Sequence, residues 1–247
     1  MPKYKNIKEI IDNKKGYLVE KINNEDEFNN IKNLIVEIYQ KEIQQYTKNQ
    51  KIINYIENYH LIKLDEKTHK KIWTREKRRA PKKLLKILMK TDFYSRIKKE
   101  FGKLKFSDMV EKGKPDVFWR LVRPRKKNDV GPIHADSWFW KVNQKKVEKG
   151  YKILKFWMML SENCECGLGV MPFSQLKKDW NYEVVYKDGL YKPNFIVSEN
   201  IYKYNPLSLK TKNRHYVLFN YDLLHFGQIN TSDVTRCSLE ITFLYKT

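Results

Sequence analysis

The stretch GPIHADSWFW at residues 131–140 decides the fold, because it carries His134 and Asp136 one residue apart. In a β-strand, residues i and i+2 share a face, so a strand ending here would point both side chains the same way. A third ligand is available in LLHFGQINTSDVTRCSLEITF at residues 223–243, which contains His225. Two imidazoles and one carboxylate form the facial triad that holds non-haem Fe(II) and leaves three positions open. The spacing therefore predicts a metal site formed by His134, Asp136 and His225.

Arg236 follows His225 by eleven residues, and Ser238 comes two residues later. A strand that carries Arg236 can lie antiparallel to the strand that carries His225, which would aim the guanidinium at the metal pocket. Arg offers a planar fork that matches a carboxylate, and Ser238 adds a hydroxyl on the same strand face. This pair predicts an anchor for the far carboxylate of a dicarboxylate that chelates the iron through its keto-acid end.

The chain resembles the phytanoyl-CoA dioxygenase-like group of Fe(II)/2-oxoglutarate-dependent oxygenases over about residues 117–245. Besides the two segments above, the segment WMMLSENCECGLGVMPFSQ at 157–175 matches the group's pattern of a strand, an acidic turn, Gly-x-Leu and a final Pro-x-Ser. The matching residues in this segment are Gly167, Leu168, Pro172 and Ser174. In the C-terminal segment, the matching residues after His225 are Asn230, Ser232, Arg236 and Ser238.

This resemblance implies a mainly β protein with α-helices, whose core is a double-stranded β-helix, or jelly roll, of the cupin type. It implies iron bound by His134, Asp136 and His225, and 2-oxoglutarate bound by Arg236 with help from Ser238. Such enzymes hydroxylate a small organic substrate and release succinate and CO2. Asp136 stands where related halogenases carry a small residue, which favours hydroxylation. The group's usual Pro-Gly-Ser-His is here Pro172-Phe173-Ser174-Gln175, so the substrate is not carried over by analogy.

Two further residues are candidates for the cosubstrate site. Trp157 lies on the strand that faces the iron in the family, where an aromatic residue often flanks 2-oxoglutarate; core packing is the alternative. Arg120, on the strand before the His-x-Asp pair, could meet a cosubstrate or substrate carboxylate, or lie on the surface. If 131–140 is a strand, Trp138 and Trp140 share the face of Asp136 and could line the substrate pocket.

Composition bounds the class of protein. The chain has 247 residues, 41% of them hydrophobic, and a mean hydropathy of −0.73, with no apolar run of transmembrane length. Three cysteines, two of them as Cys164-x-Cys166, give neither a disulfide framework nor a four-ligand zinc site. We therefore expect a cytoplasmic protein with a single domain, residues 1–247.

The domain should have two parts. Residues 1–101 should form a helical N-terminal part packed on a jelly-roll catalytic core at 102–247. Apolar residues at helical spacing predict helices at 24–45, at 51–60, after Pro81, and through Phe93 and Phe101. Runs rich in β-branched and aromatic residues predict strands at 117–123, 151–160, 169–173, 182–186, 215–220 and 237–245.

The charge is strongly positive, with 50 Lys and Arg against 29 Asp and Glu. Eleven of the basic residues lie between Lys67 and Lys90 with a single acid, Glu76, and this run forms either a solvated face or a specific docking site. A basic helix in this segment, with the basic groups around residues 123–127 and 141–146, could ring a pocket mouth and attract an anionic small-molecule substrate. Two other functions stay open. One is a nucleic-acid-directed oxygenase, which is not favoured because no base-reading motif is present, and the other is a non-catalytic binding protein. The sequence does not give the oligomeric state.

Overall fold

The computed structural model describes residues 6–246 except 165, 178, 188–189 and 196–203. Its α-helices are α1 Ile7–Asn13, α2 Glu25–Ile43, α3 Gln50–Asn54, α4 Glu66–Ile72, α5 Lys82–Leu88, α6 Asp92–Phe101 and α7 Asp136–Val142, with a longer 3₁₀ helix at Ile56–Ile62. Its strands are β1 Tyr17–Lys21, β2 Leu104–Phe106, β3 Val117–Val122, β4 Tyr151–Met159, β5 Leu168–Val170, β6 Tyr182–Lys187, β7 Leu190–Phe195, β8 Leu207–Ser208, β9 His215–Asn220, β10 His225–Gly227 and β11 Arg236–Lys246. None of the described helices is long and apolar enough to cross a membrane.

The main sheet has six antiparallel strands in the order β1-β9-β4-β11-β2, and β3 pairs with the first half of β11. Because β11 is eleven residues long, its second half remains free to pair with β2. Side chains alternate across this sheet, as the pleat requires. Leu239, Ile241 and Phe243 point towards the helices, whereas Arg236, Ser238 and Glu240 line a cleft on the other side.

A smaller sheet, in the order β10-β5-β8, lies on the cleft side of the main sheet. Leu168 and Val170 of β5 join Trp157, Met159 and Val217 of the main sheet in one buried cluster. Two antiparallel sheets packed face to face around such a core form the predicted jelly roll. β6 and β7 form a separate hairpin.

The N-terminal helices cover the outer face of the main sheet. α2 begins after Asn24, whose side chain accepts a hydrogen bond from the Glu27 N–H, and its acidic first turn suits the positive end of the helix dipole. Phe28, Ile31 and Ile35 of α2 are buried in the same cluster as Phe156 and Ile241 of the sheet. This burial of apolar area holds the helical layer to the sheet.

Three details of the N-terminal part differ from the sequence-based expectations. The part contains a strand as well as helices, because β1 pairs along its whole length with β9. The second expected helix is split into α3 and the 3₁₀ helix. The basic segment 67–90 is not one helix: α4 ends at Ile72, and residues 78–80 run beside β3, with the Ala80 N–H donating to Val117 O. Pro81 then starts α5, because proline is suited to a helix start and not to its interior.

Arg123 was expected to offer its charge at a pocket mouth, and this expectation is wrong because its guanidinium is buried and paired with Asp129. The Nε and Nη2 atoms of Arg123 each lie 2.8 Å from a carboxylate oxygen of Asp129, and the two side chains are 5% and 1% exposed. Nη1 also donates to Leu64 O, which ties the loop before His134 to the helical layer. The ion pair therefore holds in place the loop that precedes the metal ligand His134.

Replacing Arg123 with methionine is expected to lower the free energy of unfolding by about 3–5 kcal/mol, because it leaves a buried carboxylate without its counter-charge. Urea unfolding measures this change. Arg125→Met is the matched control: its ion pair with Asp233 is exposed, so its loss should cost less than about 1 kcal/mol. Equal effects of the two substitutions would contradict the structural role given to Arg123.

His69 makes stability depend on pH. Its Nδ1 lies 2.9 Å from the Tyr59 hydroxyl, and burial lowers its pKa from 6.5 to about 4 despite the nearby Asp129. The unfolded chain therefore takes up a proton first as the pH falls, so this contribution to stability is complete above pH 6.5 and is lost between pH 6.5 and 4. Over this pH range, we expect protonation of His69 to lower the free energy of unfolding by about 3 kcal/mol. Urea unfolding at several pH values should show that the free energy of unfolding falls less steeply with pH in His69→Phe than in the unaltered protein. Parallel pH dependences of the two proteins would contradict this account.

Candidate metal centre and cosubstrate cleft

His134 and His225 face each other through an isolated antiparallel bridge. The His134 N–H donates to His225 O at 3.0 Å, and the His225 N–H donates to His134 O at 2.9 Å. Asp136 does not continue a strand, as expected from the sequence, but is the first residue of α7. The chain turns from the bridge into the helix at Ala135, and this turn brings the carboxylate back towards both imidazoles.

The three ligand atoms converge within 4.8 Å of one another. His134 Nε2 lies 4.0 Å from Asp136 Oδ1, and His225 Nε2 lies 3.7 Å from Asp136 Oδ2. The Nδ1 atoms face the carbonyl oxygens of Pro132 and Leu223, at 2.8 and 3.0 Å. Because a carbonyl only accepts, each Nδ1 must carry the proton, which leaves both Nε2 lone pairs free for a metal.

The electrostatics suit a divalent cation. Burial lowers the pKa of His225 to about 4, and the neighbouring His134 contributes, so the imidazole is neutral at pH 7. Burial alone would raise the pKa of Asp136, but Lys155 and the two histidines hold that pKa well below its usual range. The Oδ2 atom of Asp136 is buried and has the Lys155 ammonium as its charged neighbour, at 3.2 Å. An ionised carboxylate beside two imidazoles whose Nε2 atoms face it fits non-haem iron.

Arg236 and Ser238 line the same cleft as the triad, but they reach it differently from the sequence-based expectation. β10, which carries His225, pairs with β5, whereas β11 belongs to the main sheet and pairs with β3 and β4. Arg236 therefore faces the triad across the space between the two sheets. The expectation that the strands of His225 and Arg236, β10 and β11, pair with each other in antiparallel fashion was wrong.

The guanidinium of Arg236 is held in place and still has donor capacity. Its Nη1 donates to three carbonyl oxygens, those of Cys166, Gly167 and Gln228, at 2.9–3.1 Å. Its Nε atom is buried and has no hydrogen-bond partner. Since a buried unpaired donor costs free energy, this atom indicates an acceptor that enters the cleft. A carboxylate of 2-oxoglutarate fits this requirement.

No known protein family and no curated protein matches the sequence. Solved structures, in contrast, match this chain in fold. ThoJ, a non-heme monooxygenase, is 9% identical with a TM-score of 0.54, and the match covers 94% of this chain and 74% of ThoJ. SnoK, a non-heme alpha-ketoglutarate-dependent carbocyclase from nogalamycin biosynthesis, is 13% identical with a TM-score of 0.56, and the match covers 94% of this chain and 80% of SnoK. The chain has the fold of the non-haem, 2-oxoglutarate-dependent oxygenases. EvdMO1 is also similar, with 16% identity, a TM-score of 0.51 and coverage of 93% of this chain and 47% of EvdMO1.

Within this oxygenase fold, the two further cosubstrate candidates both line the cleft. Trp157 is buried, on the face of β4 that points away from the helices, and packs in the cluster between the sheets. Arg120 is partly exposed, and its Nε donates to Glu240 at 2.8 Å. Its charge is therefore already paired, which leaves Arg236 as the better-placed anchor for a carboxylate.

Trp138 and Trp140 do not share a face with Asp136, because α7 is a helix and residues i and i+2 of a helix point in different directions. Trp138 stacks on Tyr182 of the hairpin at 4.6 Å between ring centroids. Trp140 packs with Ile153 and Leu244 in a separate cluster. Neither ring lines the cleft that holds the triad. The expectation that both rings share the face of Asp136 was therefore wrong.

Several motif residues of the oxygenase pattern hold the loops around the cleft. Asn230 Nδ2 donates to Val122 O and Val234 O, and the Ser174 hydroxyl donates to Met171 O while it accepts from the Leu224 N–H. A side chain at Gly167 would collide with Thr211, since an added Cβ would lie 2.0 Å from its Oγ1. These residues position the ligands without contacting them.

Lys155 was not expected from the sequence. It lies on β4 on the same face as Trp157, is 9% exposed, and places its Nζ 3.2 Å from Asp136 Oδ2. The signal was present: YKILKFWMM at 151–159 is an apolar strand with a lysine in its middle. A lysine there is almost never fully buried without a partner.

Proposed function

We propose that the protein is an Fe(II)- and 2-oxoglutarate-dependent dioxygenase of the phytanoyl-CoA dioxygenase-like type, which hydroxylates a small, anionic organic substrate. The observation that carries this proposal is the joint placement, in one cleft, of a two-histidine, one-carboxylate cluster and a buried arginine with an unused donor. The first suits Fe(II), and the second suits the far carboxylate of 2-oxoglutarate.

Each residue has a distinct part in this reaction. His134, Asp136 and His225 would hold the iron, and Arg236 with Ser238 would orient the cosubstrate so that its keto-acid end faces the metal. Bound iron and 2-oxoglutarate supply the oxidising chemistry, in which dioxygen is consumed and succinate and CO2 are released. Trp157 and the apolar residues around it close the inner end of the cleft and limit the entry of water.

Three cations line the cleft, Arg120, Lys155 and Arg236. Arg120 is paired with Glu240 and Arg236 is assigned to 2-oxoglutarate, so Lys155 is the one that supports an anionic substrate. The basic segment 67–90 gives less support to a nucleic acid, because several of its charges are already paired within the chain. Lys70 pairs with Glu66, Lys77 with Glu42 and Arg79 with Glu111.

The test is succinate release from 2-oxoglutarate in air with Fe(II) and ascorbate, first alone and then with a library of metabolites. We expect slow release without substrate, stimulation by at least one anionic compound, and loss of both in Asp136→Ala. Release that is equal in Asp136→Ala and in the unaltered protein would contradict the proposal. A protein that binds the cosubstrate but never turns over would instead be a binding protein on the same fold.

A further inference from the structure

Lys155 is a buried ammonium group beside the metal triad. Its Nζ donates to Thr242 Oγ1 at 2.8 Å and lies 3.2 Å from Asp136 Oδ2. Register fixes the first contact, because Lys155 and Thr242 are directly paired on β4 and β11. Asp136 is thus the anion next to Lys155, and it is also a predicted metal ligand.

Metal binding changes the surroundings of this ammonium group. A divalent cation bound by Asp136 would share the carboxylate's charge with Lys155 and add positive charge a few ångströms away, so the ammonium charge would be only partly compensated. Buried charges without a partner cost several kcal/mol. In the metal-bound cleft, Lys155 therefore needs another anion.

The cosubstrate does not supply enough charge to meet this need. Iron contributes two positive charges, Lys155 and Arg236 one each, while Asp136 contributes one negative charge and 2-oxoglutarate two. As metal ligands the imidazoles are uncharged, and the ion pairs that Arg120 makes with Glu240 and Asp129 makes with Arg123 are each neutral. Asp116 also acts on Lys155, but it does not line the cleft, and burial raises its pKa. The groups that line the loaded cleft therefore carry one positive charge in excess, and Lys155 is the cation among them that shares its partner with the metal.

We propose that Lys155, supported by Thr242, binds a singly charged anionic group of the substrate, a carboxylate or a phosphodiester, beside the metal. This inference rests on the proposed function and deepens it, because it places the substrate's charge at one residue. The surface lysines around the cleft would then affect only the rate of encounter, whereas Lys155 selects the substrate at the site.

The proposal can be tested without knowing the substrate, on the protein loaded with Co(II) and 2-oxoglutarate. The probes are butanoate, dimethyl phosphate and the neutral butanamide, and binding is followed by calorimetry and by the Co(II) visible spectrum. We expect at least one of the two anions to bind at least tenfold more tightly than butanamide, and the preferred anion shows whether the substrate group is a carboxylate or a phosphodiester. This preference should disappear in Lys155→Met.

The matched control is Lys152→Met, which removes an exposed lysine of the same strand near Asp12 and should keep the preference. Lys155→Gln keeps a donor for Thr242 without the charge and replaces the Met variant if that variant does not fold. A preference for anions that persists without Lys155, or equal binding of butanamide by the unaltered protein, would overturn the proposal.

Measuring 2-oxoglutarate binding in the same samples distinguishes failure of the proposed function from failure of the inference about Lys155. If the unaltered protein binds no 2-oxoglutarate, the proposed function itself fails. If it does, but Lys155→Met loses 2-oxoglutarate affinity tenfold and neither anion binds, Lys155 serves the cosubstrate and the inference about the substrate is wrong.

Discussion

His225→Ala is expected to weaken divalent metal binding by more than about 100-fold, since loss of a residue that only hydrogen-bonds to a metal ligand already costs about 10- to 100-fold. His225 is the most deeply buried of the three ligands, and its low pKa keeps its Nε2 free of a proton at pH 7. Alanine removes that lone pair and leaves two ligands. Calorimetric titration with Mn(II), which does not oxidise in air, measures the change.

The control for this prediction is His215→Ala. His215 is the first residue of β9 and binds backbone carbonyls of its own loop, outside the cleft. Its removal should leave Mn(II) affinity within about twofold of the unaltered protein. A similar loss of affinity in both variants would mean that His225 acts through general stability and not as a ligand.

Arg236→Leu is expected to weaken 2-oxoglutarate binding by 30-fold to several thousand-fold, because truncating a buried, charge-assisted pair costs about 2–5 kcal/mol. Leucine suits a strand, but Arg236 Nη1 also satisfies three carbonyl oxygens, which leucine would leave without a donor. We therefore expect a lower free energy of unfolding as well.

Arg236→Lys separates the two effects. Lysine keeps the charge and can still donate to a carbonyl, but it lacks the two-pronged fork that matches a carboxylate. Its cosubstrate affinity should fall by about tenfold, with stability nearer that of the unaltered protein. If Arg236→Leu is folded and binds 2-oxoglutarate normally, while Arg120→Leu does not, then Arg120 is the anchor.

Several strands of the main sheet and its longest helix could be predicted from local patterns, and the residues proposed for the site from short motifs and the family resemblance. β3, β4, β9 and β11 coincide closely with runs of β-branched and aromatic residues, and α2 with a helical stripe that starts at a capping asparagine. Such signals are local, so they survive in a single sequence.

What the sequence could not show depends on contacts between distant segments. β1 is a strand because β9 offers it an edge, although it lies between two helices. The turn at Ala135 that makes Asp136 a helix residue depends on the bridge between His134 and His225, which are 91 residues apart. The pairing of Lys155 with Asp136 and of Arg123 with Asp129 likewise needed three-dimensional neighbours. Tertiary contacts of this kind override local propensity.

The account depends most on one measurement, the anaerobic addition of 2-oxoglutarate to the Fe(II)-loaded protein. A keto acid that chelates Fe(II) beside two imidazoles and a carboxylate gives a weak visible charge-transfer band. We expect this band in the unaltered protein, with a stoichiometry of one iron per chain, and we expect it to be missing in His134→Ala. A band of equal strength in both proteins, or no band in the unaltered protein at saturating Fe(II) and 2-oxoglutarate, would contradict the assignment of the metal centre and with it the proposed function.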